Sequence, residues 1–272
     1  MPLEALIFDV DGTLAETEEA HRRSFNEAFA AFGVDWSWDK ELYRELLQVT
    51  GGKERLQHYI DAWKPRGGEV VLARFADIYE ENSAHYAALV KSGAVPVRPG
   101  VRRLITEAHE RGVRLAIATT SLPGSVDAVL HAIFGEEGPS WFDVIAAGDV
   151  VAHKKPAPDI YRFALEKLEC GPGSCVAIED SENGVMAARA AGLRVLAAPS
   201  YYLKGDDFSL ATSVLSDLGE PDRPCRQIGG LRFDRDYVDI DGLNAWLCKQ
   251  QRSLAAAPRD PAQIMRRSVE IG

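Results

Sequence analysis

The chain has few cysteines, no long apolar run and little room before its first predicted strand, and each shortage excludes a class of protein. Its four cysteines have neither the spacing of a zinc site nor the density of a small disulfide-rich secreted domain. No run of about eighteen or more apolar residues occurs, so we expect no membrane span. The first apolar run begins at Ala5, so we expect no signal or transit peptide. We therefore expect a cytoplasmic protein with reduced thiols.

Cations are also scarce relative to acids. The 272 residues carry 31 Lys and Arg against 41 Asp and Glu, which gives a formal net charge of −10. A nucleic-acid partner normally requires a basic patch, so we expect none. A small anionic substrate stays compatible with this charge, provided that cations are placed locally around it. The composition, 46% hydrophobic and 26% charged, is that of an ordinary globular protein with one large or two modest domains.

What the chain does contain is an apolar run that ends in two acids. Residues 5–8 predict a buried strand of a parallel sheet, and Asp9, Asp11 and Gly12 follow it. Side chains two apart in a strand point the same way, so the two carboxylates leave the sheet edge together. Because close carboxylates repel each other, the pair requires a cation or a shared proton. The alternative is a solvated turn in which Asp11 caps the next element.

Residues 16–92 predict helices and no strand. Apolar residues recur there at steps of three and four, which is the pattern of amphipathic helices. We predict a helix that ends at Gly33 and further helices near 42–47, over 53–63 and over 70–89. This segment is expected to form a small all-helical domain.

After residue 93 strand and helix patterns alternate. The strands are predicted at 113–119, 142–147, 175–179 and 193–197, with helices at 101–110, 123–134, 156–168 and 182–191. This alternation predicts right-handed βαβ units on a parallel sheet, which the first strand would join. The predicted fold class is therefore α/β: a Rossmann-like parallel-sheet core, residues 1–15 and 93–272, with a helical cap, residues 16–92, inserted into it.

The end of the chain, residues 219–272, is less regular. Its sequence predicts a polar edge strand at 231–240, a short helix at 243–247 and a mobile end at 255–272. We count it as an atypical C-terminal extension of the core and predict no role for it.

Polar side chains gather where the predicted strands end, which is where ligands bind in an open parallel sheet. Besides the acids after the first strand, the residues at these ends are Thr119, Thr120, Lys155, Glu179 and Asp180. Taken singly, the threonines and the aspartate are typical of helix caps, and the lysine is typical of a solvated charge. Their convergence on one rim favours a single site instead.

Phosphoryl transfer is the chemistry that needs this set. Converging carboxylates suit Mg²⁺, a hard cation that takes oxygen ligands. Hydroxyls, turn amides and a lysine suit the oxygens of a phosphate group. A carboxylate can then act as the nucleophile and form an aspartyl-phosphate.

In this order the residues resemble the four motifs of haloacid dehalogenase-superfamily phosphatases. The motifs are Asp9-Val10-Asp11-Gly12-Thr13, then Thr119, then Lys155 before Pro156, and last Glu179-Asp180. Residues 15–19, 50–55 and 148–151 further resemble the CbbY type. That type is associated with carbon fixation and removes a phosphate from xylulose 1,5-bisphosphate, a rubisco inhibitor. The resemblance covers about residues 1–218, and residues 219–272 extend beyond the usual end of the family.

The resemblance implies a role for each motif residue. Asp9 attacks phosphorus, and Asp11 protonates the leaving alcohol and later activates water. Thr119 and Lys155 bind the transferring phosphoryl group, together with the amide of Thr120. The implied ligands of Mg²⁺ are Asp9, the carbonyl of Asp11 and Asp180, with Glu179 in or near the set.

A bisphosphate needs a second cationic site, and the predicted cap offers Lys53 and Arg55 after a Gly-Gly break. By pattern alone these are ordinary solvated residues of a helix face, whereas the resemblance favours them as substrate ligands. Further candidates are Glu18, His21, Arg22 and Tyr43, of which the resemblance favours the first and the last. The expected partner is a small sugar phosphate or bisphosphate, bound by a monomer.

Two alternatives stay open. One is a β-phosphoglucomutase-like sugar phosphomutase on the same scaffold, although such mutases tend to carry Val or a similar residue where this chain has Thr13. The other is a non-catalytic phosphosugar-binding regulatory module. Dehalogenase relatives lack the second aspartate of the first motif, so Asp11 excludes that activity.

Overall fold

The computed structural model describes residues 2–256, with side chains placed as far as Lys249. The strands in this part are β1 (Ala5–Phe8), β2 (Arg114–Ala118), β3 (Val144–Ala146), β4 (Cys175–Glu179), β5 (Arg194–Ala197), β6 (Ser213–Leu215) and β7 (Gln227–Gly230). They form one sheet in the order β3-β2-β1-β4-β5-β6-β7. All neighbours are parallel except β6 and β7. The predicted parallel sheet, with the first strand inside it, is confirmed.

The register of the sheet brings the chemically important strand ends to one level. β1 lies between β2 and β4, and Phe8 pairs with Ile117 on one side and Ile178 on the other. Every residue of β1 is buried, with alternate side chains in the hydrophobic cores of the two faces. The residues that directly follow β1, β2 and β4 therefore emerge side by side at the carboxyl edge.

Helices cover the sheet and form the cap. Those within the described residues are α1 (Glu18–Ala31), α2 (Lys40–Leu46), α3 (Gly52–Trp63), α4 (Gly68–Ala73), α5 (Phe75–Lys91), α6 (Val101–Glu110), α7 (Pro123–Phe134), α8 (Asp159–Leu168), α9 (Glu182–Ala190) and α10 (Ile240–Ala256). The first five lie between β1 and β2 and pack around an aromatic core that includes Phe25, Phe29 and Trp38. The structure places no strand between positions 16 and 92, while the exact limits of the cap as a domain stay a prediction. In residues 2–256 no helix has both the length and the apolar character that crossing a bilayer requires.

Two predicted elements differ from the structure, and one observed strand was not predicted. The helix predicted over 70–89 is two helices, α4 and α5, because the chain breaks at Arg74. The apolar period continues across that break, so the pattern could not locate it. β6 is too short to show an alternating pattern and has no predicted counterpart. The edge strand predicted at 231–240 occurs earlier, at Gln227–Gly230, where two glycines read as a loop.

The described part of the C-terminal segment belongs to the α/β core domain. The short helix predicted at 243–247 is part of the longer α10, which packs beside α6. Arg103 of α6 donates to the carbonyl of Val238 at 2.9 Å and pairs with Glu220 at 2.9 Å, which holds the approach to α10. The end predicted to be mobile, 255–272, lies outside the described residues beyond position 256.

Candidate active site

A cavity opens between the carboxyl edge of the sheet and the helical cap. The predicted site residues that line it are Asp9, Asp11, Glu18, Arg55, Thr119, Thr120, Lys155 and Asp180. Glu179 and Tyr43 are fully buried and do not line it, and Lys53 lies outside it. The strand ends therefore meet on one wall, and the cap supplies the opposite wall.

Lys155 joins the acids of two strand ends. Its Nζ lies 2.7 Å from Oδ1 of Asp9 and 2.5 Å from Oε1 of Glu179. The hydroxyl of Tyr161, on α8, donates to the same Glu179 oxygen at 2.6 Å. Tyr161 was missed in the sequence because a tyrosine on the apolar face of a helix reads as a core residue. The lysine ammonium group is thereby fixed beside the predicted nucleophile.

Three buried carboxylates form a group that fits a metal ion. Asp9, Glu179 and Asp180 each place an oxygen within 4.8 Å of the others. Oδ2 of Asp180 is buried and has no hydrogen-bond partner among the described residues. A buried, unpartnered carboxylate oxygen is costly unless a cation binds it, and hard oxygen donors suit Mg²⁺. The side chain of Asp11 does not belong to this group.

Two glycines of the motifs make room for these carboxylates. Gly12 has a φ of +73°, and a Cβ atom there would lie 2.0 Å from Oδ2 of Asp180. A Cβ atom on Gly184, in the first turn of α9, would lie 2.0 Å from Cδ of Glu179. Any larger residue at either position would displace a carboxylate, which explains the glycine after the acids of the first motif and the glycine at position 184.

Burial and mutual repulsion disfavour ionised acids at this edge. Burial raises the pKa of Asp9 to about 8, opposed by the attraction of Lys155 and helped by the charge of Glu179. Burial also raises the pKa of Asp180 well above its usual value, with help from both other acids. Burial lowers the pKa of Lys155, but the charges of Asp9 and Glu179 outweigh it and raise that pKa overall. A divalent cation would stabilise the ionised carboxylates.

Asp11 has a different environment, although only one residue separates it from Asp9. Its Oδ1 lies 3.0 Å from Nε2 of His21 and 3.3 Å from the Tyr86 hydroxyl, and its Oδ2 accepts from the Ser121 hydroxyl. Burial by itself raises the pKa of Asp11, but His21 and Ser121 outweigh it and hold the pKa below its usual range. His21, grouped in the sequence with the substrate candidates, therefore pairs with this acid.

The cap wall carries three buried side chains in a row. The Tyr43 hydroxyl donates to Oε2 of Glu18 at 2.9 Å and accepts from Nη1 of Arg55 at 3.1 Å. Nε of Arg55 donates to the Leu46 carbonyl at 3.3 Å. Among residues 2–249, no carboxylate lies within ion-pair distance of Arg55, although Arg55 lines the cavity. It is a buried cation that faces the space for a ligand.

Two other cap candidates do not face the cavity. Nζ of Lys53 lies 3.3 Å from Oδ2 of Asp149 on the outer rim. The guanidinium of Arg22 pairs with Glu19 at 2.7 Å and donates to the Trp38 carbonyl at 2.6 Å. Neither cation lines the cavity, and each contacts acceptors nearby instead. A helix-face pattern could not show this.

Comparison with known proteins agrees with this geometry. The family model of haloacid dehalogenase-like hydrolases matches residues 3–192. Protein CbbY of Cereibacter sphaeroides is 50% identical over 218 residues, which cover 80% of this chain and 94% of the relative. The plasmid CbbY of Cupriavidus necator is 47% identical over 247 residues, which cover 90% of this chain and 96% of the relative. Since 90% of 272 residues exceeds 218, part of residues 219–272 also aligns with that relative.

Solved structures show the same relationship. CbbY of Rhodobacter sphaeroides has crystal structures with phosphate and, as a mutant, with xylulose-(1,5)bisphosphate. Both align with a TM-score of 0.73 at 49% identity, over 79% of this chain and 94% of theirs. The coverage and the sequence identity of these matches assign the chain to one family. The chain therefore belongs to the haloacid dehalogenase-like hydrolases and is a phosphatase with a helical cap inserted into a parallel-sheet core.

Proposed function

We propose that the chain is a Mg²⁺-dependent phosphatase that converts xylulose 1,5-bisphosphate to xylulose 5-phosphate through an aspartyl-phosphate. One observation carries this proposal: the cavity has a buried cation on each wall, Lys155 at the sheet edge and Arg55 in the cap. Two cations on opposite walls suit a substrate with a phosphate at each end. The bisphosphate bound by the Rhodobacter sphaeroides relative supports the same substrate. In this role the enzyme would remove a rubisco inhibitor during carbon fixation.

Asp9 is the nucleophile of the proposed reaction. Its carboxylate attacks phosphorus, the bond from phosphorus to the sugar oxygen breaks, and Asp9 carries the phosphoryl group. Lys155, 2.7 Å from Asp9, binds the phosphoryl oxygens together with the Thr119 side chain and the Thr120 amide. Bound Mg²⁺ would neutralise charge on the transferring group, and its proposed ligands are Asp9, the Asp11 carbonyl, Glu179 and Asp180.

Asp11 carries the proton in this scheme. The leaving alcohol must gain a proton and the attacking water must lose one, so a single carboxyl group can serve both steps. His21 and Ser121 favour the ionised form of Asp11, which suits the acceptance of a proton from water. A dianionic phosphate beside Asp11 raises its pKa, because like charge disfavours ionisation. Substrate binding therefore prepares Asp11 to donate.

Phosphate release from a substrate panel tests the proposal. The panel holds xylulose and ribulose 1,5-bisphosphates, phosphoglycolate and hexose monophosphates, each with and without Mg²⁺. We expect the fastest Mg²⁺-dependent release from xylulose 1,5-bisphosphate. Release by the Asp9→Asn variant should fall by more than about a thousandfold, because the nucleophile is lost.

Other results of these assays would reject a part of the proposal or identify a different enzyme. A preference for phosphoglycolate would reject the bisphosphate substrate but not the phosphatase. Near-native release by Asp9→Asn would reject the aspartyl-phosphate. An isomeric phosphosugar in place of free phosphate would identify a phosphomutase.

A further inference from the structure

Outside the cavity, four charged side chains bridge the cap and the sheet core. Lys53 and Glu54 belong to the first turn of α3, whereas Asp149 and Lys154 belong to the segment after β3. Nζ of Lys154 lies 2.7 Å from Oε1 of Glu54 and 3.1 Å from Oδ1 of Asp149. Nζ of Lys53 lies 3.3 Å from Oδ2 of Asp149. Each contact in this rim network (Lys53, Glu54, Asp149, Lys154) joins opposite charges.

The rim network lies next to both walls of the cavity. In the cap, Arg55 directly follows Glu54 and lines the cavity. In the core, Lys155 directly follows Lys154 and pairs with Asp9. The network therefore joins the two chain segments that carry the buried cations of the cavity.

The backbone beside the network leaves space for the Glu54 carboxylate. Gly51 has a φ of +97°, and a Cβ atom there would lie 2.2 Å from Oε2 of Glu54 and 3.3 Å from Cδ of Lys154. Oε2 of Glu54 is buried and has no hydrogen-bond partner among the described residues, while Oε1 is held by Lys154. A partly desolvated carboxylate depends on its ion pair, so Glu54 favours this arrangement only while Lys154 stays in contact.

We propose that the rim network closes the cap onto the core and thereby positions Arg55 for the distal phosphate, with Lys53 as a positioning residue and not a phosphate ligand. The two pairs that cross from cap to core, Lys53 with Asp149 and Glu54 with Lys154, break when the cap opens. The third pair, Lys154 with Asp149, lies within the core and keeps both core members of the crossing pairs in place. The role of the distal phosphate rests on the proposed function, whereas the closure does not.

The closure is weak and sensitive to salt. The crossing pairs lie at or near the surface, where an ion pair contributes little free energy and salt weakens it. Loss of one crossing pair should therefore raise KM for the bisphosphate by about two- to fivefold. The kcat should change less, because Asp9 and Lys155 keep their contact and saturating substrate draws the cap shut.

Two double-mutant cycles test the crossing pairs in the full chain. One combines Glu54→Gln with Lys154→Met, and the other combines Lys53→Met with Asp149→Asn. We expect each double variant to be no worse than its more impaired single variant, since a broken pair cannot be broken again. High salt should raise KM of the unmodified protein more than KM of the double variants.

A matched control uses an exposed pair that stays within the cap. Arg74 and Asp77 lie 3.5 Å apart on neighbouring turns, so Asp77→Asn removes a similar carboxylate without touching the boundary. Its KM should match that of the unmodified protein. Additive effects in both cycles would overturn the proposal. An equal rise in KM from Lys53→Met with and without Asp149 would also overturn it, because a lysine that touches phosphate behaves in that way.

Amide hydrogen exchange of residues 48–55 provides a readout that needs no turnover. We expect faster exchange in Glu54→Gln and in Lys154→Met, faster exchange of the unmodified protein in high salt, and no change in Asp77→Asn. If exchange responds in this way but no member of the panel releases phosphate, the proposed function fails and the closure stands. If phosphate is released but neither exchange nor KM responds, the closure fails and the function stands.

Discussion

The two walls of the cavity hold their charged side chains in different ways. At the sheet edge, neighbouring strand ends bring three carboxylates together, and Lys155 pairs with two of them. In the cap, Arg55 reaches Glu18 through the hydroxyl of Tyr43, and the three residues come from three different helices. The sheet edge thus carries excess negative charge and requires a cation, whereas the cap wall has one acid for its cation. We propose that this difference separates two roles, with phosphoryl transfer at the sheet edge and selection of the substrate in the cap.

If that separation holds, variants at the sheet edge lower kcat and variants of the cap raise KM. A cap variant that lowered kcat at saturating substrate, or a sheet-edge variant that changed only KM, would break it.

The largest effect is expected for Lys155→Met. Without the ammonium group of Lys155, kcat should fall about a hundred- to a thousandfold, because a contact to the transferring group disappears. Asp9 and Glu179 would also be left buried without their partner, which should cost the metal-free protein about 3–5 kcal/mol in its free energy of unfolding. Urea unfolding in a chelator measures this loss. Lys167→Met on α8 is the matched control, and equal stability of the two variants would contradict the role of Lys155.

Removal of the metal should have the next largest effect. A chelator should abolish phosphate release, and Mg²⁺ at about a hundred times its Kd should raise the free energy of unfolding by about 2.7 kcal/mol. Asp180→Asn should remove this rise, since the unpartnered Oδ2 of Asp180 is part of the carboxylate group. Thermal unfolding against Mg²⁺ concentration measures the rise in stability and its loss in Asp180→Asn. Asp127→Asn on α7 is the control. A full Mg²⁺ response in Asp180→Asn would move the metal away from this group.

A smaller effect, in KM, is expected for Arg55→Met. Charge-assisted hydrogen bonds contribute about 1.5–3 kcal/mol, so KM for the bisphosphate should rise about ten- to a hundredfold while KM for a monophosphate changes little. Arg55→Lys should recover part of the loss by restoring the charge without the guanidinium fork. Steady-state kinetics on both substrates measure this, and an equal rise for both would show that Arg55 does not discriminate the second phosphate.

Of the variants of the two walls, Tyr43→Phe is expected to have the smallest effect. This variant keeps the ring but removes the hydroxyl that joins Glu18 to Arg55. Hydrogen bonds to charged groups contribute about 1.5–3 kcal/mol, but Tyr43 acts on the substrate only through the orientation of Arg55, so KM should rise only about fivefold. In the Arg55→Met background the same change should have no further effect on KM. Steady-state kinetics of the four proteins in this cycle measure it, and an independent effect would give Tyr43 a separate contact with the substrate.

The core motifs could be predicted because they are local. Asp9 and Asp11 follow an apolar strand, and the strand period and the parallel topology alone place them beside Thr119 and Glu179 at one edge. The order of the strands was not predicted, and the structure places β1 between β2 and β4. Tyr161 could not be assigned a role in this way, since the apolar pattern of α8 marks it only as buried and does not show that its hydroxyl meets Glu179.

The contacts of the charged cap residues could not be predicted for the same physical reason. Helix-face periodicity indicates which side of α3 is buried but not which neighbour a charged side chain meets. Lys53 and Arg55 are two residues apart and read alike in the sequence, yet one pairs with Asp149 outside and the other faces the cavity.

By itself the sequence determined the α/β core, the inserted helices and the set of acids, hydroxyls and lysine at the strand ends, because periodicity and strand termini are properties of short segments. Only the tertiary structure decided that Asp11 pairs with His21, apart from the buried carboxylates around Asp9, and which cap cation faces the cavity. Those outcomes depend on burial and on charges contributed by distant parts of the chain, and electrostatic energies depend on distances that only packing sets.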